Sequence, residues 1–165
     1  MKGRRLSCAA CLLIALGSLP PSMAQSPADA LTVKAIAEVE KVSQENGREI
    51  QKLLPADRVV SGDAVVYTLE VRNSGPTTLR RPVVTYAVPE HMIYIADSAV
   101  GPGTDVSYSI DNGRSFDSPE SLKINEPNGE WRLAKAADYT HIRWQLNHAL
   151  KANSVAFVRF RARVK

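Results

Sequence analysis

Cysteine is almost absent from this chain, and its two examples, Cys8 and Cys11, both fall within the first 24 of 165 residues. Those 24 residues have the three parts of a secretory leader. Met1–Arg5 carries Lys2, Arg4 and Arg5 with no acid, Leu6–Leu19 is mostly apolar, and Ser22-Met23-Ala24 offers a small-x-small cleavage site. Cleavage after Ala24 is expected, leaving residues 25–165 as one exported domain, periplasmic or extracellular. The Arg4-Arg5 pair also fits a twin-arginine signal, although a basic pair is ordinary in any leader. Both cysteines lie at the start of the apolar run rather than its end, which argues against lipidation. The run is shorter than the roughly 20 residues a spanning helix needs. No transmembrane segment is expected once it is removed. Without cysteine the exported domain has no disulfides and depends on its apolar core. A chain of this length buries about 68–70 % of its unfolded surface, enough for one core.

Net charge is scarce as well. The leader holds three of the 21 basic residues and none of the 17 acids, so the formal +4 of the whole chain falls to +1. Nucleic acid is therefore an unlikely partner, since such binding leans on strong positive charge. The remaining charge is uneven. Residues 132–165 carry eight basic and one acidic side chain, residues 25–131 ten and sixteen. Two such segments side by side would neutralise each other; apart, they would mark an interaction surface.

Catalytic patterns are missing too. Residues 25–165 have no cysteine nucleophile, G-x-S-x-G elbow, H-E-x-x-H or phosphate-cradling loop. His91, His141 and His148 have no metal-pair spacing. Asp111, Asp117 and Glu120 lie in oxygen-rich sequence that could hold calcium or could simply be solvated. No cofactor is expected, and a non-enzyme is the expected class; a small hydrolase with an unrecognised site is the remote alternative.

What is present is alternation. In VVSGDAVVYTLEVRNSGP, residues 59–76, Val65, Tyr67, Leu69 and Val71 point one way and Val66, Thr68, Glu70 and Arg72 the other. Gly62-Asp63 opens this strand and Asn73-Ser74-Gly75-Pro76 closes it with turn residues that supply positive φ and a fixed φ. Leu31–Val42 and Glu49–Val60 flank Asn46-Gly47 and read as a hairpin, with helical spacing of Ala35, Val39 and Val42 as the competitor. Strands are further expected at Pro82–Val88, Met92–Ala96 and around Tyr108–Ile110. Ser118–Asp138 reads as the longest irregular excursion. Tyr139–Leu146 turns Ile142, Trp144 and Leu146 inward; Ser154–Val164 does so with Ala156, Val158, Phe160, Ala162 and Val164. The expected fold is an all-β, immunoglobulin-like sandwich of about seven to nine antiparallel strands.

These residues carry a family likeness. GDAVVYTLEVRNSGP, VPEHMIYIADSAVGPG and THIRWQLNHALKANSVAFVRFRARV, within residues 59–165, resemble the bacterial envelope family called domain of unknown function eleven, or conserved repeat domain. Gly62, Asp63, Tyr67, Asn73, Gly75, Pro89, Tyr94, Ser98 and Gly101 match its pattern of turn and core positions. The resemblance implies an immunoglobulin-like fold in exported proteins, here as a single copy, with no catalytic residues to carry over. A second pattern, Ser109-Ile110-Asp111-Asn112-Gly113-Arg114-Ser115-Phe116, resembles the Asp-box hairpin of sialidase propellers and other β proteins. In it Asp111 accepts from the turn backbone, Gly113 takes positive φ and Phe116 tucks beneath. One copy without a propeller implies a rigid hairpin rather than a sialidase.

The candidate binding face is the outer side of the last two strands. If they are neighbours, as consecutive strands usually are, Tyr139, His141 and Arg143 join Phe157, Arg159, Arg161 and Arg163 in one aromatic and basic patch. Guanidinium forks suit carboxylates, phosphates and sulfates. An anionic envelope polymer, a lipid headgroup or an acidic protein would all fit such a face, and the expected function is a non-catalytic envelope interaction module that binds an anionic polymer or an acidic partner. The alternatives are a solvated face that blunts an edge strand, and a structural subunit that assembles by adding its first or last strand to a partner.

Overall fold

The computed structural model describes residues 30–165, so the expected leader lies outside the described residues. Ten strands follow one another: β1 Leu31–Glu45, β2 Arg48–Pro55, β3 Ala64–Asn73, β4 Val83–Ala87, β5 Met92–Tyr94, β6 Thr104–Ser109, β7 Lys123–Asn125, β8 Trp131–Leu133, β9 His141–Leu146 and β10 Val155–Val164. Eight of them form two antiparallel sheets in the order β2-β1-β3-β10-β5 and β4-β9-β6, while β7 and β8 make a separate ribbon. The chain is an all-β sandwich. No helix of the described residues is long and apolar enough to cross a membrane.

Alternation decides what each central strand buries. On β3, Val65, Leu69 and Val71 are buried and Tyr67 stacks on Phe160 of β10 with centroids 4.8 Å apart. On β10, Val158, Phe160 and Ala162 are buried, and on β9, Ile142, Trp144 and Leu146 are fully so. Each such side chain contributes on the order of 1.5–3 kcal/mol by leaving water. Ring contacts fix how the sheets overlie. Tyr86 of β4 meets Tyr67 of β3 at 6.4 Å, Trp144 of β9 meets Phe160 of β10 at 6.1 Å, and Tyr108 of β6 meets Tyr94 of β5 at 5.4 Å. The smaller sheet therefore covers β3, β10 and β5 and leaves β1 and β2 without an opposing strand.

Residues 31–55 are strands, not helix. Asn46 at φ 52° and Gly47 at φ 72° form the two-residue turn that joins β1 to β2. Asp63 accepts from Val60 N at 3.0 Å and Lys41 Nζ at 2.7 Å, and Gly62 at φ 91° donates its N–H to Val164 O at 2.9 Å. Asn73 is fully buried. It donates from Nδ2 to Thr77 O at 2.8 Å and Leu150 O at 3.0 Å, and its Oδ1 accepts from Gly75 N at 3.1 Å. Pro89 O accepts from Met92 N at 2.9 Å. The Tyr94 hydroxyl meets that of Tyr108 at 3.0 Å and accepts from Ala99 N at 3.0 Å.

Three expectations need correction. Gly75 does not supply a positive φ; it is required because a Cβ there would lie 2.6 Å from Ala30 Cβ. The excursion at 118–138 is not wholly irregular, since it contains the β7–β8 ribbon and a 3₁₀ turn at Ala136–Asp138. The last two strands do not pair. In an immunoglobulin sandwich they share a sheet, whereas here β9 is the centre of the smaller sheet and β10 lies between β3 and β5 in the larger.

Candidate functional site

Because β9 and β10 belong to different sheets, the expected single patch is divided between the two outer surfaces of the sandwich. Tyr139 belongs to neither. It precedes β9, is 9 % exposed and stacks on Tyr108 at 4.5 Å. Burial raises the Tyr139 and Tyr108 hydroxyls above the usual phenol value, helped at Tyr108 by its hydrogen bond to Tyr94, so both rings stay neutral.

On the smaller sheet His141 and Arg143 do point outward, but the Asp-box hairpin lies over them. Ser109 Oγ donates to Asp111 Oδ1 at 2.7 Å and accepts from Gly113 N at 2.9 Å. Asp111 Oδ1 also accepts from Arg114 N at 3.1 Å and Ser115 N at 2.9 Å, and Oδ2 from Ser115 Oγ at 2.6 Å. These donors hold its carboxyl far below the ordinary carboxylate value of 3.8. Both carboxylate oxygens of Asp111 thus have partners within its own loop. Gly113, at φ 81°, lies against the His141 ring, where a Cβ would come within 3.3 Å. Phe116 takes the Arg143 guanidinium on its face, 3.6 Å from the centroid. Arg143 Nε donates to Thr85 Oγ1 at 3.3 Å. Arg143 is half-buried under Phe116, and His141, also half-buried, lines a hollow of about 530 Å³ with Glu90, Asp138 and Lys165.

The larger sheet carries the other four. Phe157, Arg159, Arg161 and Arg163 alternate outward along β10, opposite Glu70, Thr68, Val66 and Ala64 of β3. Arg161 is paired with Glu40 on β1. Arg163 donates from Nη1 to Gly62 O at 3.0 Å. Arg159 differs from both. Its Nε donates to Thr68 Oγ1 at 3.1 Å, and its Nη groups have no protein partner among the described residues. The backbone beneath is fixed, because Arg159 exchanges two hydrogen bonds of 2.8 Å with Val100.

Arg159 also stands between two hollows. One, of about 580 Å³, is lined by Thr68, Val100, Pro102, Phe157 and Arg159; the other, of about 230 Å³, lies between β2 and β10 beside Glu40, Leu53, Val66 and Arg161. A third, of about 300 Å³, continues past Phe157 to Thr104 and His148. The first two form a trough across the outer face, apolar at Val100, Pro102 and Phe157, with one uncommitted guanidinium midway; the third opens between the sheets beside Leu146 and Val158. Val100 and Phe157 are 54 % and 52 % exposed. Val100, Pro102 and Thr68 were not legible as site residues, because only the bridge to β10 brings the 100–102 loop onto this face. The last strand pairs with β3 over residues 155–163 and, on its other side, with Val100 and β5 only over residues 159–164. Comparison with known protein families, curated proteins and solved structures returns no match for this chain.

Proposed function

We propose that the protein is an exported, non-catalytic interaction module of the bacterial envelope that recognises an anionic polymer or an acidic partner through the trough on its larger sheet. The observation that carries this reading is Arg159. A guanidinium held in place by one side-chain hydrogen bond, with its paired N–H groups turned to solvent beside exposed Phe157 and Val100, is arranged for bidentate capture of a carboxylate, phosphate or sulfate. The surrounding apolar wall excludes water from that contact, which strengthens it. The leader pattern of residues 1–24 supports export. The likeness to the conserved repeat domain supports an envelope setting, and the absence of the usual catalytic motifs supports binding over turnover.

A pull-down from envelope extract tests the reading. The wild-type protein is expected to retain a partner at physiological salt, and Arg159→Ser and Phe157→Ser to lose it. Retention of the same partner by Arg159→Ser would place recognition elsewhere.

A further inference from the structure

A second surface, independent of the trough, lies at the open edge of β4. This strand pairs only with β9 among the described residues. Pro82 O accepts from Leu146 N at 3.0 Å and Val88 N donates to Thr140 O at 2.8 Å. Alternation along an antiparallel pair therefore directs the backbone groups of Val84 and Tyr86 to β9, and those of Val83, Thr85 and Ala87 to the open side. Edge strands are usually protected by charge or by a covering loop. Pro82–Pro89 contains no charged residue.

The space beside this edge has a roof. β1 overhangs the smaller sheet, and its inward-facing Val33 and Ala35, opposite Val71 and Leu69 of β3, are exposed, Val33 by 42 %. The smaller sheet is thus one strand narrower than the apolar surface above it. Edge and roof together leave a short strip for one added strand at Val33 and Ala35, because farther along β1 Ala37 is half-buried and Val39 is buried. A second copy does not fit, because joining two copies at β4 would drive the overhanging β1 of one into β3 of the other.

We propose that β4 accepts one extended segment of a partner protein as an added antiparallel strand. Its apolar side chains would alternate toward Val33 and Ala35 and its polar ones toward solvent. Charge sets its polarity. Arg80 precedes β4 and Glu90 follows it, Arg81 being turned away to donate to Asn147 Oδ1 at 3.3 Å, so an antiparallel segment is basic at its N-terminal end and acidic at its C-terminal end. Backbone hydrogen bonds supply affinity, and the apolar roof selects the register.

The test is fluorescence anisotropy with a labelled, blocked peptide of alternating threonine and valine that begins with lysine and ends with glutamate. The wild type is expected to bind it saturably. Thr85→Pro removes an N–H that serves no ladder bond; it should weaken binding at least about tenfold with little change in the melting temperature. Val33→Lys, at an already exposed roof position, should weaken it as well, and decides the matter if the proline variant fails to fold. Arg159→Ser should bind the peptide as the wild type does, which separates this strip from the trough. Three results would overturn the proposal: no saturable binding up to about 1 mM, equal binding by wild type and the folded variants, or a wild-type dimer that Thr85→Pro dissociates.

Discussion

Asn73 shows how much one buried amide can hold. It ties the end of β3 to Thr77, Leu150 and Gly75, and is itself fully buried. Asn73→Ala would leave two carbonyls and one N–H without their partner, each at a cost of about 1–3 kcal/mol where water cannot replace it. A loss of about 3 kcal/mol in denaturant unfolding is expected; a loss below about 1 kcal/mol would mean that water takes over these groups. Asp111 gives a pH signature. Its carboxyl is held below 3.8 by Ser115, Ser109 and Arg114, so its contribution is present above that value and is lost as pH falls through the lower folded-state pKa. The melting temperature of Asp111→Ala should therefore lie below wild type at neutral pH, and the gap should narrow in strong acid. A gap that does not depend on pH would contradict this origin. The Asp-box was legible because its spacing encodes a local loop. Tyr139 breaks the alternation of β9 because the strand begins only at His141, and residue 139 is still the cap of the 3₁₀ turn at Ala136–Asp138.

At the level of elements, strands were legible and their partners were not. The period of two in β3, β9 and β10 fixes which side of each strand is apolar, but it says nothing about which sheet that side belongs to. Here β9 and β10 turn their apolar faces toward each other across the core, as Trp144 and Phe160 show. Two strands of one sheet would have given the same pattern. The Asn46-Gly47 hairpin was legible because its turn chemistry is local. The role of Gly75 was hidden because it depends on Ala30, 45 positions away in sequence and adjacent in space. That contact yields a prediction about how β1 begins. Gly75→Ala should destabilise the protein, and Ala30→Gly in the same chain should restore most of the loss, since the Cβ at 2.6 Å is then gone. If the double variant is no better than the single, backbone conformation rather than the contact requires glycine. Phe160, fully buried in the middle of β10, should cost about 3–5 kcal/mol as alanine, measured by the same unfolding titration.

Across the whole molecule, the unevenness of charge resolves into paired and unpaired parts. Arg161 of the basic C-terminal segment meets Glu40 of the acidic part, and Arg132 meets Asp138 and Glu126. Such exposed pairs add little stability, yet they decide which cations remain for a partner. Both arginines donate from Nε to a threonine, but the Arg143 guanidinium also lies on the Phe116 ring and is half-buried, whereas Arg159 is exposed with no ring against it among the described residues. The two arginines carry the same charge on opposite surfaces of one sandwich, which makes them each other's control. Retention of the protein on an immobilised polyglutamate surface, compared at low and physiological salt for wild type, Arg159→Ser and Arg143→Ser, separates a site from a field. Recognition through the trough predicts that Arg159→Ser loses retention while Arg143→Ser keeps it. An equal fall for both variants, or none for either, would contradict it.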